Sequence, residues 1–527
     1  MSFEAASNNF VQWLQRSGVA ISESVVVSDL RSENQGRGLV ATAPISENEL
    51  LFLIPRTVVF SLSNCSFKAD HPEKHNELYE LGQWEALMVV LAYELRKPDS
   101  QWRPYFEVLP IRGEIEKSSN QLMFWTDSEI ETLKPSLVVE RIGKDATDKL
   151  YQDLFDGLVM SWDIPEFRSF TKKDFYEVGA IIMSYSFDVE EDEQNEEEDH
   201  EEEEDSNEDE EEEGEDHYVG EDEHDVGEEE HASGDEKVEE LIANPVSNDS
   251  YLKSMVPLAD TLNADTHLHN ASLSYEGSML VMKATKAIKK GDQIYNTYSN
   301  HPNSEILRRY GYVEYDSSAY DFGEVPLSTV KEYFNKQLKS KPPLDTLLEI
   351  LSTIHDDEQQ DDDEEPTDLI VESYDCYSNQ EVIMELTFLI QILTILVAIN
   401  KDTPFRKMTK TEVHSTIKRC YHKCYQLIES HKLTKDYLKN YKAILEQRIA
   451  QYPQEEAVEV DRGLNRSQMA RVVLHSERQS LRKCLDTDVV YKDYELIDDG
   501  KLIRNINKRA MQAKETQSSK RKKVEKK

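Results

Sequence analysis

Between Asn263 and Tyr312 the chain gathers residues suited to handling an amine rather than to filling a plain core. Asn263 ends the run Pro257-Leu-Ala-Asp260-Thr-Leu-Asn263, and Tyr275 ends Asn270-Ala-Ser-Leu-Ser-Tyr275. Tyr298 ends Gly291-Asp-Gln-Ile-Tyr295-Asn-Thr-Tyr298, and Tyr310 and Tyr312 share Arg309-Tyr-Gly-Tyr-Val313. A tyrosine joins a broad apolar face to one hydroxyl, and an asparagine offers both a donor and an acceptor. Together they can line a narrow polar slot that orients an amine. Taken singly, each tyrosine reads as a half-buried core residue and Asn263 as a turn or cap residue. The joint order and spacing point to a site.

An amine that attacks in line must be neutral. For a lysine with a reference pKa of about 10.4, losing the proton at pH 7 costs about 4.6 kcal/mol. An aromatic, apolar channel lowers that cost by disfavouring the charged form. Tyrosine hydroxyls and backbone carbonyls can then hold the lone pair on line, an effect worth several kcal/mol. Such chemistry requires no metal and no nucleophilic Ser or Cys. Tyr298 and Tyr310 are separated by an Asn-Pro-rich loop and a short helix, which can return both rings to one pocket. Asp260 and Asn263 can share a face if their turn is helical.

The elements that must position these residues follow from periodicity. Apolar residues at Phe10, Trp13 and Leu14 predict a helix capped near Ser7-Asn8. β-rich segments are expected at 25–27, 38–42, 50–54 and 58–60, with a tight turn at Asn34-Gln-Gly-Arg-Gly38. Helices are expected at 84–95, from 129 onward and at 175–187. Strands return at 271–275, 279–284 and 293–298, with Tyr275-Glu-Gly-Ser turning between the first two. Two strand-rich parts therefore flank a helical insertion, which requires a discontinuous domain. From about residue 326 the pattern is helical, with helices at 384–399, 411–429, 435–450 and 466–485 and breaks at Pro404 and Pro453.

Charge is unevenly placed. Acids outnumber bases 105 to 60, but residues 190–236 hold 30 acids and 356–368 hold nine, with no Lys or Arg in either. Taking these out of the formal net charge of −45 leaves −6, an ordinary balance. Self-repelling segments with no apolar face are expected to be disordered. They read either as solvated filler or as a lure for a basic partner. Five scattered cysteines make no disulfide framework and fit a reducing compartment. Cys420, His422 and Cys424 fall short of the about four ligands of a zinc site, so no metal is expected. The N-terminal residues carry no secretory pattern, and the apolar run 386–399 is short for a membrane span, so a soluble intracellular protein is expected. The basic cluster Lys520-Arg-Lys-Lys523 suggests nuclear import, with the cytoplasm as a second location.

Gly36-Arg-Gly-Leu-Val-Ala41 followed by Ile45-Ser-Glu-Asn-Glu-Leu-Leu-Phe-Leu-Ile-Pro55, Met183-Ser-Tyr-Ser-Phe187, the run ending at Asn263, and Arg309-Tyr-Gly-Tyr-Val313 together resemble the SET-domain protein lysine methyltransferases. The likeness is to the Rubisco-methyltransferase-like subgroup, in the branch that includes fungal ribosomal lysine methyltransferases. It runs from about residue 10 to 325 and more weakly beyond, where residues 466–477 resemble the last helix of that subgroup's substrate-binding domain.

The resemblance implies an α+β fold. Residues 1–325 would form a β-rich SET domain, split by a helical insertion at about 62–250 that includes a disordered acidic segment at 189–240. Residues 326–490 would form an all-α substrate-binding domain with an acidic loop at 355–368, and 491–527 a basic tail. It implies S-adenosylmethionine as cofactor, held by Gly36, Arg37 and Gly38 through the backbone and by Tyr185, Asn263 and Tyr310, with Tyr312 near the adenine. Tyr298 would be the catalytic tyrosine and Tyr275 would line the lysine channel. Ala264 stands where the family usually has His. A backbone contact would survive that change and a side-chain contact would not. The implied substrate is a basic protein, a large-subunit ribosomal protein by this branch, with no nucleic acid or membrane partner. The alternatives are a methyltransferase for a histone or transcription regulator, and a non-catalytic acidic chaperone or interaction protein on a decayed SET fold.

Overall fold

The computed structural model describes residues 2–111, 119–190, 246, 251–339, 341–359, 368–454, 465–500 and 502–504. Most of the first acidic segment, the middle of the second and the basic cluster at 520–523 lie outside the described residues. The chain divides into two compact units. The first comprises residues 1–131, 138–314 and 460–469, and the second 132–137, 315–459 and 470–527.

The first unit opens with α1 (Phe3–Arg16), which starts before the expected Ser7-Asn8 cap. Ser2 is the cap, its side chain accepting the Ala5 N–H, and Ala6, Phe10 and Leu14 form the buried face. Strands β1 (Ala20–Ile21), β2 (Val25–Asp29), β3 (Arg37–Ala41) and β4 (Leu50–Pro55) follow. Residues 58–60, expected as a strand, instead leave a 3-10 turn at Arg56–Val58, and Phe60 makes a lone bridge to Met255. Among the longer helices, α2 (Gln83–Glu94) is buried on nearly every side and α3 (Lys172–Tyr185) is fixed by a capping box between Thr171 and Asp174. The start expected from residue 129 is one short turn, Asp127–Ile130, relayed into 3-10 geometry.

The expected insertion is not helical to its ends. Its acidic segment leaves from β5 (Ser186–Glu190) and returns into β6 (Tyr251–Met255), an antiparallel pair that sets Glu190 opposite Tyr251. Strand geometry thus claims Val189 and Glu190, the first two residues of the segment expected to be disordered. Between that segment and β6, Val246 is described, buried, with its N–H donating to the Leu81 carbonyl at 2.9 Å.

β7 (Asn263–Ala264), β8 (Ala271–Glu276), β9 (Met279–Ala284) and β10 (Gln293–Asn296) complete two four-stranded sheets, ordered β1-β4-β9-β8 and β2-β3-β10-β7. All pairs are antiparallel except β7 with β10, which sets Tyr295 beside Asn263 and Asn296 beside Ala264. One core cluster runs from Phe10 through the sheets to Ile294. α4 (Asn303–Tyr310) closes the unit. Its Glu305 is buried against Arg141 at 3.0 Å and Arg308 at 2.7 Å. Burial alone would raise that carboxyl, but Arg308, Arg141 and Arg309 outweigh it and hold the pKa down to about 2.

The division between the units falls after Glu314, ahead of the expected 325, because β11 (Phe322–Pro326) pairs with β12 (Ser373–Tyr377) inside the second unit. That unit is mainly helical, with α5 (Leu327–Leu338), α6 (Leu344–Gln359), α7 (Met384–Asp402), α8 (Lys410–Glu429), α9 (Lys435–Ile449) and most of α10 (Arg466–Cys484) around its own core. The expected acidic loop starts late, since α6 continues to Gln359 and Glu358 pairs with Lys418 at 2.6 Å. The expected basic tail begins in ordered structure, with Tyr491 buried and β14 (Glu495–Ile497) parallel to β13 (Lys432–Thr434). α7 is long and apolar enough to cross a membrane, yet most of it is buried in this core. Its Gln391 gives and receives hydrogen bonds with Thr434 at 3.1 and 3.0 Å, which a lipid-facing helix would not need. Cys420 and Cys424 are buried on α8. No group of three metal-binding side chains occurs among the described residues.

Candidate active site

β10 ends at Asn296, two residues before the expected end, and this frees Tyr298 into a loop. Ser299, at φ 131°, turns the chain sharply towards α4. That helix returns Tyr310, whose ring lies 4.9 Å from that of Tyr298. Gly311 then caps α4 in the left-handed region at φ 75°. A Cβ there would fall 2.7 Å from the Gln121 backbone nitrogen, so the tight exit requires glycine. The next residue, Tyr312, places its ring 6.3 Å from Tyr310, and the His301 ring lies tilted 6.2 Å from the same ring.

Two hydrogen bonds fix the cluster. The Tyr298 hydroxyl donates to the Leu262 carbonyl at 2.6 Å, and the Tyr310 hydroxyl donates to the Tyr298 carbonyl at 3.2 Å. Burial holds the Tyr298 and Tyr312 phenols well above their usual 10 and lifts Tyr185 to about 12. All three stay protonated through the physiological range. Burial also pushes His301 down to about 4, with Arg309 adding to the effect, so its ring is neutral. The rings and Ala264, Thr266, Thr297, Ser299 and Glu314 line one small, tight cleft. Glu314 is locked in place by reciprocal bonds with Asn303 at 3.1 and 2.7 Å and by the Thr266 N–H at 2.8 Å.

Asn263 and the glycine turn meet beside this cluster. The Asn263 Nδ2 donates to the Arg37 carbonyl at 3.1 Å, leaving its Oδ1 for a ligand. Asp260 and Asn263 do not share a helical face. Ala259–Thr261 is a single 3-10 turn, and Asn263 already opens β7. The Arg37 side chain is committed elsewhere: it donates to Ser7 Oγ at 2.9 Å and the Val108 carbonyl at 2.8 Å, and lies over the Phe3 ring. Only its backbone can serve a ligand. A Cβ on Gly38 would stand 2.5 Å from Leu30 Cδ1 and 2.8 Å from Asn263 Nδ2, whereas one on Gly36, at φ 68°, would meet nothing within 4 Å. Gly38 therefore allows close packing and Gly36 leaves the backbone approachable.

Tyr185 ends α3 and shares an electrostatic environment with Tyr298, Asp260 and Arg37. Tyr275 stands apart from the ring cluster, on β8. Its hydroxyl donates to the Asp188 carbonyl at 2.8 Å, and Arg56 lies 5.9 Å above its ring. Four contributors escaped sequence reasoning: the Leu262 carbonyl, His301, Glu314 and Tyr105, the buried partner of Asp260. His301 and Glu314 carry a weak signal, lying within three residues of Tyr298 and Tyr312. A backbone carbonyl and a pair 155 residues apart carry none.

Comparison with known proteins gives a consistent picture. The SET domain family model matches residues 36–299. The chain is 36% identical to ribosomal lysine N-methyltransferase 4 of Saccharomyces cerevisiae over 98% of both chains. It is 28% identical to N-lysine methyltransferase SETD6 of Rattus norvegicus over 61% of this chain and 57% of that one. Among solved structures, Rubisco LSMT bound to AdoMet aligns with a TM-score of 0.57 at 17% identity, over 93% of this chain and 94% of that one. The SET domain of LSMT bound to lysine and AdoHcy aligns at 0.56 and 17%, over 94% of each. At that identity the likeness speaks for the fold.

Proposed function

This chain belongs to the SET-domain family of protein lysine methyltransferases, and we propose that it methylates a lysine of a large-subunit ribosomal protein. The observation that carries the substrate is the 36% identity with ribosomal lysine N-methyltransferase 4, sustained over 98% of both chains. Charge supports it. The 30 acids of residues 190–236 suit a strongly basic acceptor.

The family's methyl donor is S-adenosylmethionine, which when bound supplies a methyl group made electrophilic by its sulfonium. The residues present fit it. The open backbone at Gly36, the Arg37 backbone, the Asn263 Oδ1 and the aromatic walls of Tyr310 and Tyr312 offer polar and stacking partners of the required kinds. Ala264 contributes its backbone and a small side chain to the cleft, and Tyr185 a phenol close enough to Tyr298 to raise its pKa. On the acceptor side, Tyr275 lines the approach of the lysine and Tyr298 aims the amine. The Tyr298 hydroxyl spends its proton on Leu262, so its lone pairs are left to accept an N–H of the amine. Its high pKa makes it a positioning group rather than a base. Aromatic enclosure favours the neutral, attacking amine, and the fixed rings hold its lone pair in line.

Intact-mass analysis of purified large-subunit ribosomal proteins, incubated with the enzyme and S-adenosylmethionine, tests this. One protein gaining methyl mass with wild type and not with Tyr298→Phe is the expected result. No gain, with cofactor binding intact, would overturn the ribosomal reading and move the search to histones and transcription regulators. We further propose nuclear import through Lys520-Arg-Lys-Lys523. Substituting these with alanine in a fluorescent fusion should abolish nuclear accumulation, and unchanged accumulation would reject it.

A further inference from the structure

Asp260 is a buried carboxylate, 6% exposed, to which the reaction described above gives no task. It lies in the single 3-10 turn Ala259–Thr261. The chain enters that turn through Leu258 at φ 83°, a region that branched L-residues rarely occupy and that stores strain. It leaves through Leu262, whose carbonyl accepts the Tyr298 hydroxyl, and Asn263, whose amide holds the Arg37 carbonyl. One strained turn therefore sets a partner of the catalytic tyrosine and the strand contact of the cofactor side.

The turn's own backbone bonds are three: Asp260 N–H to Val256 and Thr261 N–H to Leu258, each at 3.1 Å, and a longer one from Leu262 N–H to Ala259 at 3.3 Å. A side chain ties it to the surroundings. Tyr105, from the short helix Arg103–Phe106, donates its hydroxyl to Asp260 Oδ2. Tyr105 is fully buried and stacks on Phe10 at 6.0 Å and Trp13 at 6.4 Å, both from α1. Its hydroxyl is thus presented by a rigid aromatic stack. Tyr105, Thr261 and the backbone N–H groups of Leu258 and Asp260 all bond this carboxyl, and burying one is still a costly way to fill a core.

We infer that Tyr105 and Asp260 are positioning residues for methyl transfer, pinning the Leu258–Leu262 turn so that the Leu262 carbonyl holds the Tyr298 hydroxyl in line with the acceptor amine. The inference rests on the reading of Tyr298 as the tyrosine that aims the amine. Burial raises Asp260 to about 7, with Tyr105 and Thr261 opposing it. The ionised form accepts a stronger bond from Tyr105 than the neutral form does. Facing Asp260 are Tyr105 from the short helix, Thr261 of its own turn, Tyr185 from α3 and Tyr298 from the loop after β10, with Arg37 of β3 facing Tyr185. Burial keeps these phenols protonated far above neutrality, so a transition near pH 7 at this place reports Asp260.

The test uses the full-length chain with Tyr105→Phe and Asp260→Asn, the latter keeping an acceptor for Tyr105. The acceptor is total ribosomal protein and the donor is labelled S-adenosylmethionine. Tyr105→Phe should lower kcat about tenfold or more while the S-adenosylmethionine Kd moves less than about threefold. Asp260→Asn should retain most of kcat and lack the rate limb near pH 7. In parallel, 13C-tyrosine NMR should show the Tyr298 ring signal, assigned by its loss in Tyr298→Phe, titrating near pH 7 in wild type and not in Asp260→Asn. That readout needs no acceptor protein, so a silent wild-type assay with this titration present would count against the proposed substrate and not against the pair. An unchanged kcat in Tyr105→Phe, a matching loss of cofactor affinity, or a Tyr298 signal indifferent to Asp260→Asn would each overturn the inference. If Tyr105→Phe fails to fold, the Asp260→Asn profile and the NMR titration decide.

Discussion

Tyr298 gives its hydroxyl proton to the carbonyl of Leu262, 36 residues earlier in the chain, at 2.6 Å. The two residues belong to parallel neighbours: β7, which follows Leu262, pairs with β10, which precedes Tyr298. The sheet therefore fixes both ends of the bond. The acceptor that holds the reactive phenol is main chain, so no partner side chain has to be fixed in place.

Removing that hydroxyl should separate chemistry from folding. Tyr298→Phe keeps the ring packed 4.9 Å from Tyr310 and loses one hydrogen bond, about 1 kcal/mol of stability. The amine loses its aiming acceptor, so kcat should fall about 10²–10³-fold with the S-adenosylmethionine Kd nearly unchanged. Single-turnover assays beside calorimetric titration would show it, and wild-type turnover by this variant would remove Tyr298 from the mechanism.

Two groups make stability depend on pH in an unusual sense. Burial raises Asp260 in the first unit to about 7, and burial with nearby Glu324 raises Glu477 in the second to about 7. Each binds its proton more tightly folded than unfolded. Their contribution is fully present below about pH 4 and is lost as pH rises through about 7. Glu305, held at about 2, works the other way: its contribution is present above about pH 4 and is lost as pH falls through about 2. Between pH 4 and 7 the first two dominate. Urea unfolding across that window should show stability falling with pH. Asp260→Asn and Glu477→Gln should each flatten the transition of their own unit, and unchanged slopes would refute the assignment.

Glu190 stands opposite Tyr251 in the β5–β6 pair, so the chain on either side of residues 191–250 is fixed by the same hairpin. Joining Glu190 to Val246 through a short Gly-Ser linker keeps that pair and the Val246 bond to Leu81. Because closing a loop costs about 0.6 kcal/mol per doubling of its length, the shortened chain should be as stable as wild type or about 1–2 kcal/mol more stable. If the removed acids attract a basic acceptor, kcat/KM should drop at low salt and converge on wild type at high salt. Thermal melting and initial rates over a salt series measure both. A large fall in melting temperature would mean that the segment buries surface, and a salt-independent kcat/KM would remove its attracting role.

Local pattern made much of this architecture legible. β2, β3, β4, β8 and β9 lie where branched residues alternate with turn glycines, and the helices of the second unit follow their apolar periodicity. Tyr298, Tyr310 and Tyr312 were within reach because a loop and one short helix suffice to return them to each other. What could not be read was set by partners distant in sequence. Residues 58–60 look like a strand but find only one bridge, at Phe60. Asp260 looks like half of a helical face with Asn263, yet a strained Leu258 turns it inward to Tyr105. Arg37 reads as a backbone contact for the cofactor, and nothing local foretells that its guanidinium is spent on Ser7 of α1 and on Val108. In each case tertiary contacts overrode a local preference.

The two glycines of the Gly36-Arg-Gly38 turn should therefore respond differently to the same change. In Gly38→Ala the new methyl would press on Leu30 Cδ1 and on the Asn263 amide at 2.5 and 2.8 Å. Leu30 is a buried side chain, and Asn263 is tethered to the Arg37 carbonyl, so neither yields freely. The bond between Asn263 and Arg37 should break and carry the cofactor-facing Oδ1 away with it. S-adenosylmethionine affinity should fall at least about tenfold, the equivalent of about 1.4 kcal/mol. Gly36→Ala adds a methyl in open space and costs backbone strain of about 1–2 kcal/mol from its positive φ. It should lower the melting temperature while leaving affinity within about threefold. Calorimetric titration and thermal melting of the two variants side by side distinguish these effects, and equal losses of affinity would show that Gly38 acts through backbone freedom rather than through the space it leaves for Asn263.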